Sequence, residues 1–377
     1  MTDFEYEVPL PGFFIQQELD ARGWTQRDLA FILGIEETAL NKVIKGKTGI
    51  SLEMSKAIGS ALNVDADFFA NLQKTYDLSH TPAPDPAIAH RATLQNAYPV
   101  REMIKRGWLK NMEVSLLEIQ LKRFLKANDN NDVTKIKYAA RKTNSGDPAN
   151  EAQIAWLHRV VQLAEAMPCK PYSSRALAAA RKELKSLMVE PLRVQHVPLI
   201  LAECGVRFVI VEGLPGAKID GVCIWLDPDS PVIALSFRYD RIDNFWFVLW
   251  HELAHVLNSH GRKESAWIID VELEGERASD STTNSQQENE ANRQAAESCI
   301  AQHEMVEFVT RRMPFFSERD VIAFGERMRV HPGVVIGQIH HRTKEHKLLR
   351  KHLVKVREYI MPTAMVDGWG HVAAVPI

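Results

Sequence analysis

Hydrophobic positions recur every three to four residues along most of this chain, the spacing of one helix face, and shift to short unbroken runs in a single stretch. Between residues 11 and 76 five short striped segments are separated by glycine or polar breaks. Phe13, Phe14, Ile15 and Leu19 precede Gly23; Leu29, Ala30 and Leu33 precede Gly34; Leu40 and Val43 precede Gly46. Segments 51–62 and 66–76 come next. Thr25 stands three residues before Asp28, the spacing at which a hydroxyl and a carboxylate close a helix start reciprocally. Five short helices with a glycine turn between the second and third predict a helix-turn-helix module.

Prolines 82, 84 and 86 then predict an extended, semi-rigid spacer. Residues 98–195 return to helical spacing, most clearly in Ile154, Trp156, Leu157, Val160, Val161 and Leu163. This part shows no chemistry of its own beyond a small basic cluster, Lys135, Lys137, Arg141 and Lys142 around Tyr138, which reads as a solvated face. The period changes at 208–211, 222–226 and 232–236, runs rich in β-branched residues bounded by Gly213, Pro215, Asp227, Pro228 and Pro231. They predict a small, largely antiparallel sheet. By fold-level analogy alone, one of the strands at 222–226 or 232–236 would offer an edge to an added peptide strand.

That sheet leads into Phe245-Trp246-Phe247-Val248-Leu249-Trp250, an apolar run that predicts a buried helix, and the helix ends in His251-Glu252-Leu253-Ala254-His255. Positions four apart share a helix face, so the two imidazoles point the same way and can grip one Zn²⁺. Glu252 is placed to act on a water as general base. A catalytic zinc keeps three protein ligands, so a third is expected downstream. Helical spacing of Ala291, Ala295 and Cys299 puts Glu288 and Asn292 on a second helix. We read Glu288 as the ligand and Asn292 as the partner that holds a histidine N–H. Glu290 is the competing carboxylate, about 200° away on the wheel, so both cannot serve one metal. His260, nine residues after His251, falls off the ligand face. His331 and Tyr239 are weighed as donors to a developing charge, against the plainer reading of packed side chains. Residues 275–285 are polar and predict a mobile connection between the two metal helices.

For the N-terminal module the third helix would enter a DNA major groove. Its outward positions are Glu37, Thr38, Asn41, Lys42 and Lys45; Asn41 suits an adenine edge, while Lys42, Lys45 and Lys47 suit phosphates, with Thr25 and Gln26 on the preceding helix start. Glu36 and Glu37 favour the helix N-terminus but repel phosphates. The alternative is a module for protein docking or dimerisation.

Composition narrows the classes. The chain has 377 residues, 45% hydrophobic and 25% charged, which suits two or three ordinary globular domains. A net charge of −2 gives no bulk attraction to nucleic acid, so DNA contact must be local. Four scattered cysteines without a C-x-x-C, no signal pattern and no bilayer-spanning apolar run predict a cytoplasmic protein with no membrane contact.

The motifs carry two resemblances. Pro11-Gly12, Gly34-Ile35, Ile44-Lys45-Gly46-Lys47 and the segment from Phe68 to Leu78 resemble the Cro/cI-type helix-turn-helix, more narrowly that of HigA-type antitoxins. Ile219-Asp220-Gly221, Pro231 to Ser236, Arg238 to Phe247, the His251–His255 motif, Glu288 to Asn292 and His331 to Gly337 look like the ImmA/IrrE family of zinc metallo-endopeptidases. The expected architecture is therefore α+β and mostly helical. It comprises a DNA-binding domain at 1–80, a linker at 81–97, a helical connecting region at 98–195, a zincin-like domain at 196–345 with its sheet on the metal helix, and a basic extension at 346–377. The resemblance implies Zn²⁺ as cofactor, operator DNA as one partner, and cleavage of a repressor or antitoxin-type protein, or of the chain itself, in stress, phage or toxin–antitoxin regulation. The alternative implied is an autorepressor whose peptidase fold binds a toxin or signal without catalysis. A homodimer is expected, because such modules pair on two-fold operators.

Overall fold

A computed structural model of the chain describes residues 8–126, 140–142, 149–262, 267–271 and 286–374. It divides into two units, Met1–Ile88 and Ala89–Ile377. The first holds α1 (Pro11–Arg22), α2 (Gln26–Leu33), α3 (Glu37–Ile44), α4 (Leu52–Leu62) and α5 (Ala66–His80), the five helices expected. Ile15, Leu19, Leu29, Leu40, Ile58 and Phe69 are fully buried at its centre, each contributing roughly 1.5–3 kcal/mol of transfer free energy. Thr25 and Asp28 close α2 as a capping box. Gly34 turns the chain from α2 into α3 at φ +66°, a left-handed conformation that glycine adopts without the Cβ penalty.

The linker is shorter than its prolines suggest. Only residues 82–85 are without regular structure, and α6 (Pro86–Ala97) begins at once. Proline at a helix start lacks an N–H that would be orphaned there anyway, so Pro86 opens a helix rather than prolonging an extended spacer.

The second unit carries α7 (Val100–Lys105), α8 (Val114–Phe124), α9 (Glu151–Ala166), α10 (Ser174–Leu187), a 3₁₀ turn at Pro191–His196, and α11 (Val197–Glu203). The expected basic cluster falls largely outside the described residues. Of it, Arg141 and Lys142 belong to a short strand, β1 (Ala140–Lys142). The helices in the middle of the chain are bound to the segments around the sheet rather than serving as a mere connection. Trp156 donates to the Val211 carbonyl at 3.0 Å, Gln153 to that of Ala217 at 2.8 Å, and Arg106 to those of Glu212 and Gly213.

The sheet contains β2 (Arg207–Val211), β3 (Ile219–Trp225), β4 (Pro231–Leu235), β5 (Trp267–Val271) and β6 (Met365–Asp367) together with β1, in the order β1-β5-β3-β4-β2-β6. β3 is antiparallel to both β4 and β5, but β2 runs parallel to β4 and to β6, and β1 parallel to β5. The sheet is therefore mixed, not largely antiparallel. Parallel neighbours need long crossovers, which strand composition does not record. The order also removes the expected substrate strands: 222–226 and 232–236 lie in β3 and β4, each paired on both sides. The segment after residue 346 is no mere extension, since it supplies β6.

Helix α12 (Ile242–Leu257) packs on β3 and β4 and is buried over nearly its whole length, as its apolar, aromatic sequence requires. Against it lie α13 (Gln286–Cys299) and α16 (Pro332–Thr343), with α14 (Gln302–Arg312), α15 (Glu318–Met328) and the short α17 (Arg357–Ile360) completing the unit. The expected loop at 275–285 lies outside the described residues. Among the described residues no helix is long and apolar enough to cross a membrane.

Candidate metal centre

Three side chains from two helices meet between α12 and α13. His251 and His255 sit one turn apart on α12 with their Nε2 atoms 2.9 Å from each other. Glu288, in the first turn of α13, places Oε2 3.3 Å from His251 Nε2 and Oε1 3.3 Å from His255 Nε2. All three residues are at most 1% exposed, and their ligand atoms lie within 4.8 Å of one another. Glu290 is excluded from this cluster: it accepts from Gln294 at 3.1 Å and lies near Arg293, about half exposed.

Glu252 is also fully buried. Its carboxylate lies against β3, where a Cβ on Gly221 would stand 2.2 Å from Oε1. Only a residue without a side chain fits there, so the glycine between Asp220 and Val222 belongs to the site as much as the carboxylate does. β3 and β5 also shift register at this point, between Ile219 and Gly221.

His260 is where sequence reasoning stopped short. It is not part of the three-residue cluster, as its spacing implied, but its Nδ1 lies 2.9 Å from Nδ1 of His255. The helix ends at Leu257, Ser259 turns left-handed at φ +57°, and the His260 N–H donates back to the His255 carbonyl at 2.9 Å. Burial lowers the His260 pKa, opposed by the nearby Glu290 charge, which raises it, and aided by His251. The Trp225 indole holds the His260 carbonyl at 2.9 Å. A histidine followed by glycine just past a metal helix was the available signal.

Asn292, expected to hold a histidine N–H, hydrogen-bonds neither ring; it lines a cavity one turn further along α13. His331 caps α16, its Nδ1 accepting from the Gly333 N–H at 3.1 Å, with its pKa lowered by burial and by His352. It is engaged as a cap rather than aimed at the cluster. Tyr239 lies beneath the guanidinium groups of Arg238 and Arg241.

On the first unit, Thr38, Lys42 and Lys45 are exposed along α3. Asn41 donates to Gln26 at 3.0 Å, and Gln26 donates to Gln16 at 2.8 Å, so one base-reading candidate is already held by its neighbour. Thr25 is exposed, with its hydroxyl in the cap of α2.

Comparison with known proteins agrees with this division. Residues 15–69 match the helix-turn-helix family model and residues 205–343 match that of the IrrE N-terminal-like domain, a peptidase family. The chain thus joins a Cro/cI-type helix-turn-helix to an ImmA/IrrE-like domain of metallopeptidase fold. A curated relative, virulence-associated protein A′ of Dichelobacter nodosus, is 39% identical over 72 residues. That match covers 19% of this chain and 63% of the relative, so it spans less than two thirds of that protein.

Proposed function

We propose that this protein is a DNA-binding regulator whose second unit is a zinc-dependent endopeptidase. Its metal ligands are His251, His255 and Glu288, and its general base is Glu252. The observation that carries the reading is the convergence of two imidazole Nε2 atoms and one carboxylate at 2.9–3.3 Å in a fully buried site. Two ligand atoms each about 2.1 Å from a tetrahedral zinc stand about 3.4 Å apart. The donor set therefore fits that ion with little adjustment, and two imidazoles with one carboxylate leave a fourth position for water.

Zinc, when bound, supplies the Lewis-acid charge that polarises a carbonyl and acidifies a water. The residues of the chain do the rest. Glu252 takes the proton of the attacking water and delivers it to the leaving amide nitrogen. His255, binding through Nε2, must be neutral and carry its proton on Nδ1. That N–H donates to Nδ1 of His260, which fixes the ring and leaves the His260 proton on Nε2. The lowered pKa of His260 supports its neutral, accepting form.

The first unit would bring the peptidase to an operator, with Asn41 reading bases and Lys42 and Lys45 meeting phosphates. Exposed Phe31 (85%) and Leu52 (74%) on that unit support pairing of two copies. The substrate class we favour is a repressor or antitoxin-type protein, including this chain itself. The test is metal content and cleavage together. Glu252→Gln should retain one zinc and lose about 10²–10⁴-fold in rate on a substrate isolated by pull-down with that same inactive variant, while His255→Ala should lose the metal. Undiminished cleavage by Glu252→Gln would remove the assigned base.

A further inference from the structure

Helices α12, α13 and α16 enclose a cavity of about 580 Å³. It begins one helical turn from the metal cluster, because Phe247 precedes His251 by four residues and Asn292 comes four after Glu288. Four carboxamides line it: Asn289, Asn292, Gln302 and Gln338. Gln338 is 8% exposed, Asn292 is half-buried, and among the described residues neither side chain has a hydrogen-bond partner. A carboxamide offers both donor and acceptor, the complement of a peptide unit. Neither the Asn292 nor the Gln338 amide is held by a neighbouring side chain or main-chain group among the described residues, so both can pair with a peptide unit that enters the cavity.

The mouth is cationic. Arg342 and Lys344 are exposed at the end of α16 beside His341 and His346. Among the described residues neither Arg342 nor Lys344 has a carboxylate partner, and the carboxylate in the lining, Asp243, is already bound by Arg241. A small free anion would meet this rim but leave the deeper carboxamides and the Phe247 ring unused. An extended polypeptide engages all three.

We propose that this cavity recognises an acidic stretch of the polypeptide substrate beside the bond to be cut. Asn292 and Gln338 pair with its main chain, and Arg342 and Lys344 select its carboxylates. The inference rests on the peptidase reading and names the substrate chemistry of that site.

The test reads binding, not turnover. The zinc-loaded Glu252→Gln protein is titrated with labelled peptides that alternate alanine with glutamate, serine or lysine, and with inorganic phosphate as competitor. The glutamate peptide should bind about tenfold more tightly than the serine peptide, a difference of about 1.4 kcal/mol, and the lysine peptide least. The double substitution Arg342→Ala, Lys344→Ala should erase the glutamate advantage without weakening the serine peptide. Gln338→Leu, or Asn292→Ala where the first fails to fold, should weaken the glutamate and serine peptides by the same factor. Equal binding of the three peptides overturns the proposal. So does a preference that survives the double substitution, or complete displacement by phosphate with no effect of Gln338→Leu. If cleavage is never found but the charge selectivity is, the peptidase reading fails and the pocket stands; if cleavage is found without selectivity, the pocket alone fails.

Discussion

Gly221 and Glu252 come together so closely that the strand backbone itself forms one wall around the carboxylate. A methyl at position 221 would also lie 2.7 Å from Val248 Cγ1, so neither neighbour can yield without moving α12 or turning the Glu252 side chain. On the proposed reading, Gly221→Ala should therefore leave His251, His255 and Glu288 able to hold zinc while displacing Glu252. We expect unchanged zinc stoichiometry and a fall in kcat/KM of about 10²-fold, the cost of misplacing a reacting group by roughly 1 Å. Zinc analysis beside kinetics on one substrate checks this; a variant with the parent rate would show that the contact has no catalytic weight.

Acid should destabilise the second unit through His158. This residue of α9 is buried, and burial, reinforced by the Lys126 charge, lowers its pKa to about 4. The unfolded chain takes up the same proton near 6.5. Between those values the unfolded state binds more protons, so stability is intact above pH 6.5 and is lost as pH falls towards 4. The contribution lost between pH 7 and pH 5 is about 2 kcal/mol. Urea titrations at the two pH values should show this loss in the parent and about 2 kcal/mol less of it in His158→Gln. Equal pH dependence in the two proteins would mean that the imidazole titrates normally.

The carboxamide chain Gln16–Gln26–Asn41 should matter to operator binding even at the member that meets no base. Gln26→Ala frees Asn41 to sample other rotamers, and should cost about 1 kcal/mol in specific affinity with little change in the salt slope. Lys45→Ala should weaken all DNA alike and lower the slope of log K against log salt by about 1. Electrophoretic or anisotropy titrations at several salt concentrations separate the two; a Gln26→Ala protein with altered salt slope but intact specificity would contradict the assignment.

Asp367 is fully buried and receives Trp108 Nε1 at 2.6 Å and Arg159 through two guanidinium nitrogens. Asp367→Asn strands the Arg159 charge and should cost about 3–5 kcal/mol. The pair replaced together, Arg159→Met with Asp367→Leu, should recover much of that, since a matched apolar pair avoids the desolvation cost. Denaturant midpoints for the single and double variants decide it, and equal losses in both would refute the charge argument.

Much of this was written locally in the chain. Helical stripes located the five helices of the first unit, Thr25 and Asp28 announced the cap of α2, and the spacings 251–255 and 288–292 pointed to the carboxylate that lies beside the histidines, Glu288 rather than Glu290. What failed was non-local. The pairing of β2 with β4 and β6 joins segments far apart in sequence, and no periodicity records such a partner. Interior positions for β3 and β4 arise from strands recruited elsewhere, β5 and β2. His260 falls off an ideal helical wheel, whereas the real helix stops before it and Ser259 reverses the chain. Gln338 carried no signal at all, because an amide in an apolar helix reads as a surface residue until the cavity beside it is known.

The strand β6 has a temporal consequence. The ribosome makes His251, His255 and Glu288 long before it reaches Met365, so the helices bearing these side chains emerge while β2 still lacks its outer neighbour. The unit that carries the His251–His255–Glu288 cluster would thus be completed late, after synthesis has passed residue 367 and Asp367 has found Arg159. A nascent chain stalled earlier would expose an open β2 edge, the state most apt to be captured by a chaperone or to aggregate.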